Sequence, residues 1–384
     1  MPGLGRPCAV LAAVVALIAA GAVPAQAIPL FAHRYGLSCQ VCHTEVPHLT
    51  AFGAKFLADG YRIKGLKPKD VFPVAVRVES SYASAGAADP DETGHGPLPK
   101  TIVDEVELLT GGAVGARGSY WAEIYAVDGG EPGRPRDVWG AWRATPDDAR
   151  IPVTFRAGEF TLPLPLDPET FRETTQPYAI WSQTAGDNPF NFFATKIGGQ
   201  IVFGDTGRAI GGSVSLLQGH DTGSGLPAHG LDTMVTLQRE LGDFTLSAYR
   251  YDGSRELRGT GFQGYQTFDY GDRFWRDGYG LGWGRNGTRI DAVYQTGNDS
   301  AADVYGDVLQ TSGGFVQVRQ ELGSRTFALA RWDATRDATF ARSVTYGAGY
   351  RFSRNTRVTL FDTGERDFTG RLLHVVSSSL LFAL

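Results

Sequence analysis

The sequence predicts an all-β chain, a 16-stranded antiparallel outer-membrane β-barrel behind a small N-terminal helical segment. Three observations predict it. The chain opens with an export leader, sixteen short strand-like segments follow residue 70, and the connections between them alternate between short turns and long polar loops. Composition agrees: 50 Gly, 22 Phe, 15 Tyr and 7 Trp among 384 residues suit many strands, tight turns and aromatic girdles. Hydrophobic residues at 42% and charged residues at 20% fit neither a disordered chain nor a helical membrane protein. A net charge of -5 with no long Lys/Arg run argues against nucleic acid as a partner.

Residues 1–27 read as a signal peptide. Arg6 gives a short positive start, Ala9 to Val23 is apolar, and Ala25-Gln26-Ala27 is a small-x-small cleavage signal. The apolar stretch is short for an uncleaved membrane anchor. Cys8 leaves with the leader, so Cys39 and Cys42 are the cysteines of the mature chain.

Cys39-Gln40-Val41-Cys42-His43 has the spacing that attaches a c-type haem. Two thiols one helical turn apart can form thioethers to the two vinyl groups of one porphyrin, and the adjacent imidazole then lies under the iron as proximal ligand. The motif therefore calls for one haem c. A thioredoxin-like disulfide would need a βαβ context, and a zinc site a second Cys/His pair; the sequence offers neither. For the distal position His48 and His33 flank the motif, and a five-coordinate or solvent-ligated iron stays open beside them. Met234 falls in a distant strand.

Leu49, Phe52, Phe56 and Leu57 recur at helical spacing between Pro47 and Gly60. Phe52 and Phe56 are expected to cover the haem edge, although ordinary core packing gives the same pattern. The helical segment, 28–70, is too small to bury both faces of a haem. It is therefore expected to borrow a wall from the barrel, 71–384, as a plug in the lumen or at the periplasmic mouth.

Strands are predicted near 72–84, 103–114, 118–127, 137–145, 151–160, 192–203, 208–218, 231–241, 243–252, 273–284, 288–297, 312–322, 324–333, 341–352, 356–364 and 371–384. Every second connection is short, from Gly115–Arg117 through Gly242, Asn286–Gly287 and Gly323 to Ser353–Asn355. The others include DPDETGHGPLPK, GHDTGSGLPAHG and SRELRGTGFQGYQ, long and polar as external loops are. Over 231–237, Leu231, Thr233, Val235 and Leu237 point one way, and Asp232, Met234 and Thr236 the other. The longest connection, roughly 161–191, carries Phe171, Tyr178 and Trp181. It reads equally as an inward, lumen-constricting loop and as a rigid external one.

Phe31-Ala32-His33-Arg34-Tyr35-Gly36, the Cys39-x-x-Cys42-His43 motif, Pro47-x-Leu49-x-x-Phe52-Gly53 and Gly60-Tyr61 together resemble the fused monohaem cytochrome–porins. That family includes the outer-membrane iron(II) oxidases of iron-oxidising bacteria. The resemblance covers about residues 28–65; His33 and Arg34 depart from the Phe-Ala-Arg-Gln often found there. It implies a haem held by Cys39 and Cys42 with His43 on the iron, in a plug that moves electrons across the outer membrane. It also implies iron(II):cytochrome c oxidoreductase activity, with extracellular iron(II) or another electron donor outside, a periplasmic electron carrier within, and the lipid bilayer around the barrel. Acidic external residues such as Asp89, Asp91 and Glu92 could gather such a cation. Two other readings stand beside it: a diffusion porin with a structural or sensory haem, and a periplasm-facing electron-transfer protein.

Overall fold

The computed structural model describes residues 30–45, 48–69, 74–84, 100–146, 149–166, 173–174, 176–204, 210–219, 230–260, 267–303, 305–336, 340–353, 356–366 and 372–383. The predicted leader, Asp89, Asp91, Glu92 and Phe171 lie outside them.

Sixteen strands follow one another as an antiparallel meander. They are β1 (Val74–Ala83), β2 (Lys100–Val114), β3 (Gly118–Asp128), β4 (Pro135–Arg143), β5 (Val153–Phe160), β6 (Lys196–Gly204), β7 (Gly211–Gln218) and β8 (Leu231–Leu241), then β9 (Phe244–Thr260), β10 (Thr267–Arg285), β11 (Thr288–Asp299), β12 (Leu309–Glu321), β13 (Thr326–Arg336), β14 (Phe340–Arg351), β15 (Thr356–Arg366) and β16 (Leu372–Ala383). β16 closes on β1, with Ser377 opposite Ala83 and Ala383 opposite Arg77. Closure leaves no strand edge unpaired.

Alternation along the strands puts the apolar side chains outside. In β8, Leu231, Val235 and Leu237 are exposed, while Asp232 and Met234 are fully buried. In β10, Tyr279 and Leu281 face out and Phe274 and Arg276 face in. A belt of Val, Leu, Ile and aromatic residues around a lumen of Arg, Asp, Gln and Thr is stable in lipid and would aggregate in water. The short turns sit at the end where β1 begins and β16 finishes. At one of them Asn286 and Gly287 both take positive φ, 53° and 76°, the backbone of a type I′ hairpin. In single-chain bacterial barrels that end faces the periplasm.

The strand order and turns agree with the sequence reading, but β9 and β10 run well past the predicted 243–252 and 273–284. Their ladder continues from Gly253–Phe274 to Thr260–Thr267. The segment SRELRGT is polar enough to read as a loop, yet it keeps its two-residue alternation, with Arg255 and Leu257 turned inward and buried. Above the membrane a ladder needs no apolar outer face. Conversely, β6 begins at Lys196 rather than 192, because the residues before it belong to a loop folded inside the barrel.

Among the described residues ahead of β1 are three short helices, α1 (Leu30–Tyr35), α2 (Cys39–Cys42) and α3 (Ala51–Ala58), with a small antiparallel pair, His43–Glu45 against His48–Leu49, between α2 and α3.

Candidate functional site

The motif Cys39–His43 is built by its contact with α3. Thr50 caps α3: its Oγ1 accepts the Gly53 N–H at 3.1 Å and donates to the Val41 carbonyl at 2.7 Å. The Thr50 N–H donates to the Cys42 carbonyl at 2.9 Å. Gly53 lies directly against that carbonyl, so that any Cβ there would run into the Cys42 backbone. The helical turn α2 places positions 39 and 42 on one face. Cys42 is in no disulfide, and His43 follows at once. This local backbone fits a haem c held by Cys39 and Cys42 with His43 beside it. His33 is exposed on α1; the side chains of Cys39 and His48 lie outside the description. Of the two phenylalanines expected at the haem edge, Phe52 is 40% exposed on the first turn of α3, and Phe56 is buried among aromatic rings.

Phe56 belongs to the cluster that docks this segment on the barrel. Its ring meets Phe31 and Tyr35 edge-on at 5.1 and 5.5 Å. Phe31 stacks on Tyr61 at 4.4 Å, and Tyr61 in turn faces Trp139 of β4 at 6.4 Å. Full burial pushes the Tyr61 hydroxyl pKa up. Polar ties surround the rings. Arg34 donates to the Gly111 carbonyl, and Arg62 donates to the carbonyls of Val114, Gly115 and Gly118 around the β2–β3 turn. Arg143, at the end of β4, pairs with Asp59 at 2.6 Å. All these partners lie on β2–β4 at the short-turn end. The ring cluster gives Phe56 a packing role in docking the segment.

From the opposite end the β5–β6 connection folds into the lumen and crosses it. Tyr178, Trp181, Phe190 and Phe192 are fully buried there. One short helix, α4 (Ala179–Ser182), carries Trp181 against Phe315 of β12 at 5.3 Å, and its Nε1–H donates to the Tyr249 hydroxyl at 3.0 Å. Arg331 of β13 donates to the carbonyls of Gln176 and Pro177. Glu173 pairs with Arg319 of β12 at 2.6 Å; burial pushes its carboxyl pKa up, and Arg319 and Arg357 pull it back. The Asn188 amide donates to both Asp272 and Asp299, at 2.9 and 3.0 Å. The inward reading of this loop is therefore the one the fold adopts. Its bulk rests on the β9–β13 side, and its last residues reach across to β4, where Arg136 donates to the Phe193 carbonyl at 3.2 Å.

Sequence reasoning named Gly53 and Arg34 only as part of a resemblance, and it did not single out Asn188 or the anchoring Arg62, Arg143, Arg319 and Arg331. Nothing local marks Asn188, whose partner Asp272 is 84 residues away.

No family model matches the chain, and no curated protein does. Solved structures do. The chain is similar to an anion-selective porin from Comamonas acidovorans, with 11% identity and a TM-score of 0.58 over 81% of this chain and 98% of that one. It is also similar to the outer-membrane channel DcaP of Acinetobacter baumannii, with 13% identity and a TM-score of 0.56 over 81% and 96%. For a Salmonella typhi OmpF complexed with daunomycin the values are 12% and 0.56 over 81% and 97%. The chain has the porin fold, and its apolar outer belt and polar lumen place it in the Gram-negative outer membrane.

Proposed function

We propose that the chain is a narrow diffusion channel of the outer membrane that carries one c-type haem on the segment seated at its periplasmic mouth. The observation that carries this is a lumen narrowed from both ends: the β5–β6 loop crosses it, and residues 30–69 dock on β2–β4 at the short-turn end. Likeness to porins supports the channel. Purified protein in a planar bilayer should give a small, steady conductance from the same heat-modifiable band that stains for haem. Folded protein that never conducts would sink the channel reading.

A second reading, electron transfer through the haem, is favoured by the clamp on Cys39–His43. Here Cys39 and Cys42 would hold the group and His43 would ligate its iron; once bound, it supplies one-electron chemistry. Thr50 and Gly53 fix the backbone of the motif, and exposed Phe52 offers an apolar face beside it. The donor would be extracellular iron(II) or another reductant, and the acceptor a periplasmic carrier. Because membrane and interfaces span about 40–45 Å, an external donor must descend the lumen to reach this mouth. In sealed liposomes with an acceptor inside, iron(II) added outside should reduce haem and then acceptor. Reduction only from the face bearing the N-terminal segment would leave the haem a periplasm-facing group.

A further inference from the structure

On its lipid-facing side the sheet β10–β13 is not smooth. A groove of about 550 Å³ runs along it, lined almost entirely by apolar atoms. Its floor is Ala292, Gly314 and Ala334, small residues on three neighbouring strands, and its walls are the exposed rings of Tyr279, Tyr294 and Trp332. Register explains the shape. Tyr279, Tyr294, Gly314 and Ala334 form one row across four strands, so two large side chains are followed by two that barely rise above the sheet. Parity puts the whole row outside, because Val293, Phe315 and Asp333, one position along, are turned inward and buried.

One end of the groove carries a charge. Arg336 is the last residue of β13, at the long-loop end; it is exposed and lines the groove beside Ser312, its partner across the ladder. Among the described residues no carboxylate pairs with it. Trp332 lies about 13 Å further down the same strand, and with Tyr279 and Tyr294 it has the character of an interfacial aromatic girdle. The groove therefore starts at the headgroup layer and runs into the hydrocarbon past Leu281 and Val316. An arginine on the lipid face is costly in the hydrocarbon and tolerated near the interface, where its planar fork matches a phosphate. Lipid offers a tail no hydrophobic gain, so close packing against a shaped surface is what fixes one chain in place.

We propose that this groove binds one acyl chain of an outer-leaflet lipid whose phosphate is held by Arg336. The long-loop end faces the cell exterior, and the outer leaflet there is built of phosphorylated glycolipid, so the occupant is lipid A. A lipid of the inner leaflet has its phosphate at the opposite end of the barrel, away from Arg336. The site rests on the outer-membrane placement of the barrel alone. It is independent of conduction through the lumen and of the haem.

The test uses the folded full chain in detergent, titrated with lipid A, and reads the temperature at which the heat-modifiable band is lost. Lipid A carrying its phosphates should raise that temperature, and the same lipid freed of phosphate should need a several-fold higher concentration. Arg336→Gln should erase that difference and leave the lipid-free transition where it was. Ala292→Leu/Ala334→Leu fills the floor from both sides of Gly314, which cannot itself take a side chain without meeting the Val293 carbonyl; it should weaken both lipids several-fold. Should the filled variant fail to give the folded band, Arg336→Gln carries the test alone. A response to lipid A unchanged in the folded variants overturns the site. Phosphatidylglycerol acting as well as lipid A at equal concentration overturns the choice of glycolipid. A dimer band lost in the filled variant overturns the inference in favour of a contact between copies of the chain.

Discussion

Replacing Gly53 by valine is expected to abolish the native visible spectrum of the haem while leaving the barrel folded. The added side chain runs into the Cys42 carbonyl, a backbone atom that cannot swing aside as a side chain could. Helix α3 must then move away from α2, breaking the Thr50 bonds to Val41 and Cys42 that hold the motif. Overpacking of this kind costs about 1–3 kcal/mol in ordinary cores, and an eight-residue helix has little to offset it. Visible spectra checked against heat-modifiable gel migration read the two halves separately. Cys39→Ser and Cys42→Ser provide the reference for a lost attachment. An unchanged spectrum in Gly53→Val would show that the clamp does not support the haem.

Releasing the inward loop is expected to raise conductance several-fold and expose the loop to protease. Trp181→Ala removes a fully buried indole and its bond to Tyr249, whose hydroxyl also donates to Gln295 at 2.6 Å. Such truncations cost about 3–5 kcal/mol. Asn188→Leu acts differently: it takes away the amide shared by Asp272 and Asp299 and leaves two buried carboxylates without that donor. Together the changes remove two of the central anchors of residues 179–192 while the strands keep their ladder. Single-channel recording and limited proteolysis check this; native conductance with a protease-resistant loop would count against the loop as the constriction.

The barrel was legible because lipid imposes a strict two-residue alternation on each strand, as in β8, and because short turns such as Asn286–Gly287 punctuate it. The upper halves of β9 and β10 were not, since Ser254 to Thr260 lie outside the apolar belt and their alternation has no apolar outer face to mark it. The direction of the β5–β6 loop was equally hidden. Its aromatic residues suit either location, and its inward anchors, such as Arg331 on Thr174, come from 157 residues away. A usable signal did exist in the charges. Arg77 and Glu79, Glu105 and Glu107, Arg319 and Glu321, and Arg331 and Asp333 are each two apart, which on a strand puts both members on one face. Charge alternating with apolar residues in this way marks a polar lumen.

The most direct test of the docked N-terminal segment compares single-channel conductance of the full chain with that of a form lacking residues 30–69. The segment ties to β2–β4 through Arg34, Arg62, Arg143 and the Phe31–Tyr61–Trp139 stack, and so occupies the mouth at the short-turn end. Its removal should leave a folded, heat-modifiable barrel whose conductance is several-fold larger and whose haem stain is gone. Equal conductances from two folded barrels would contradict a segment seated in the path.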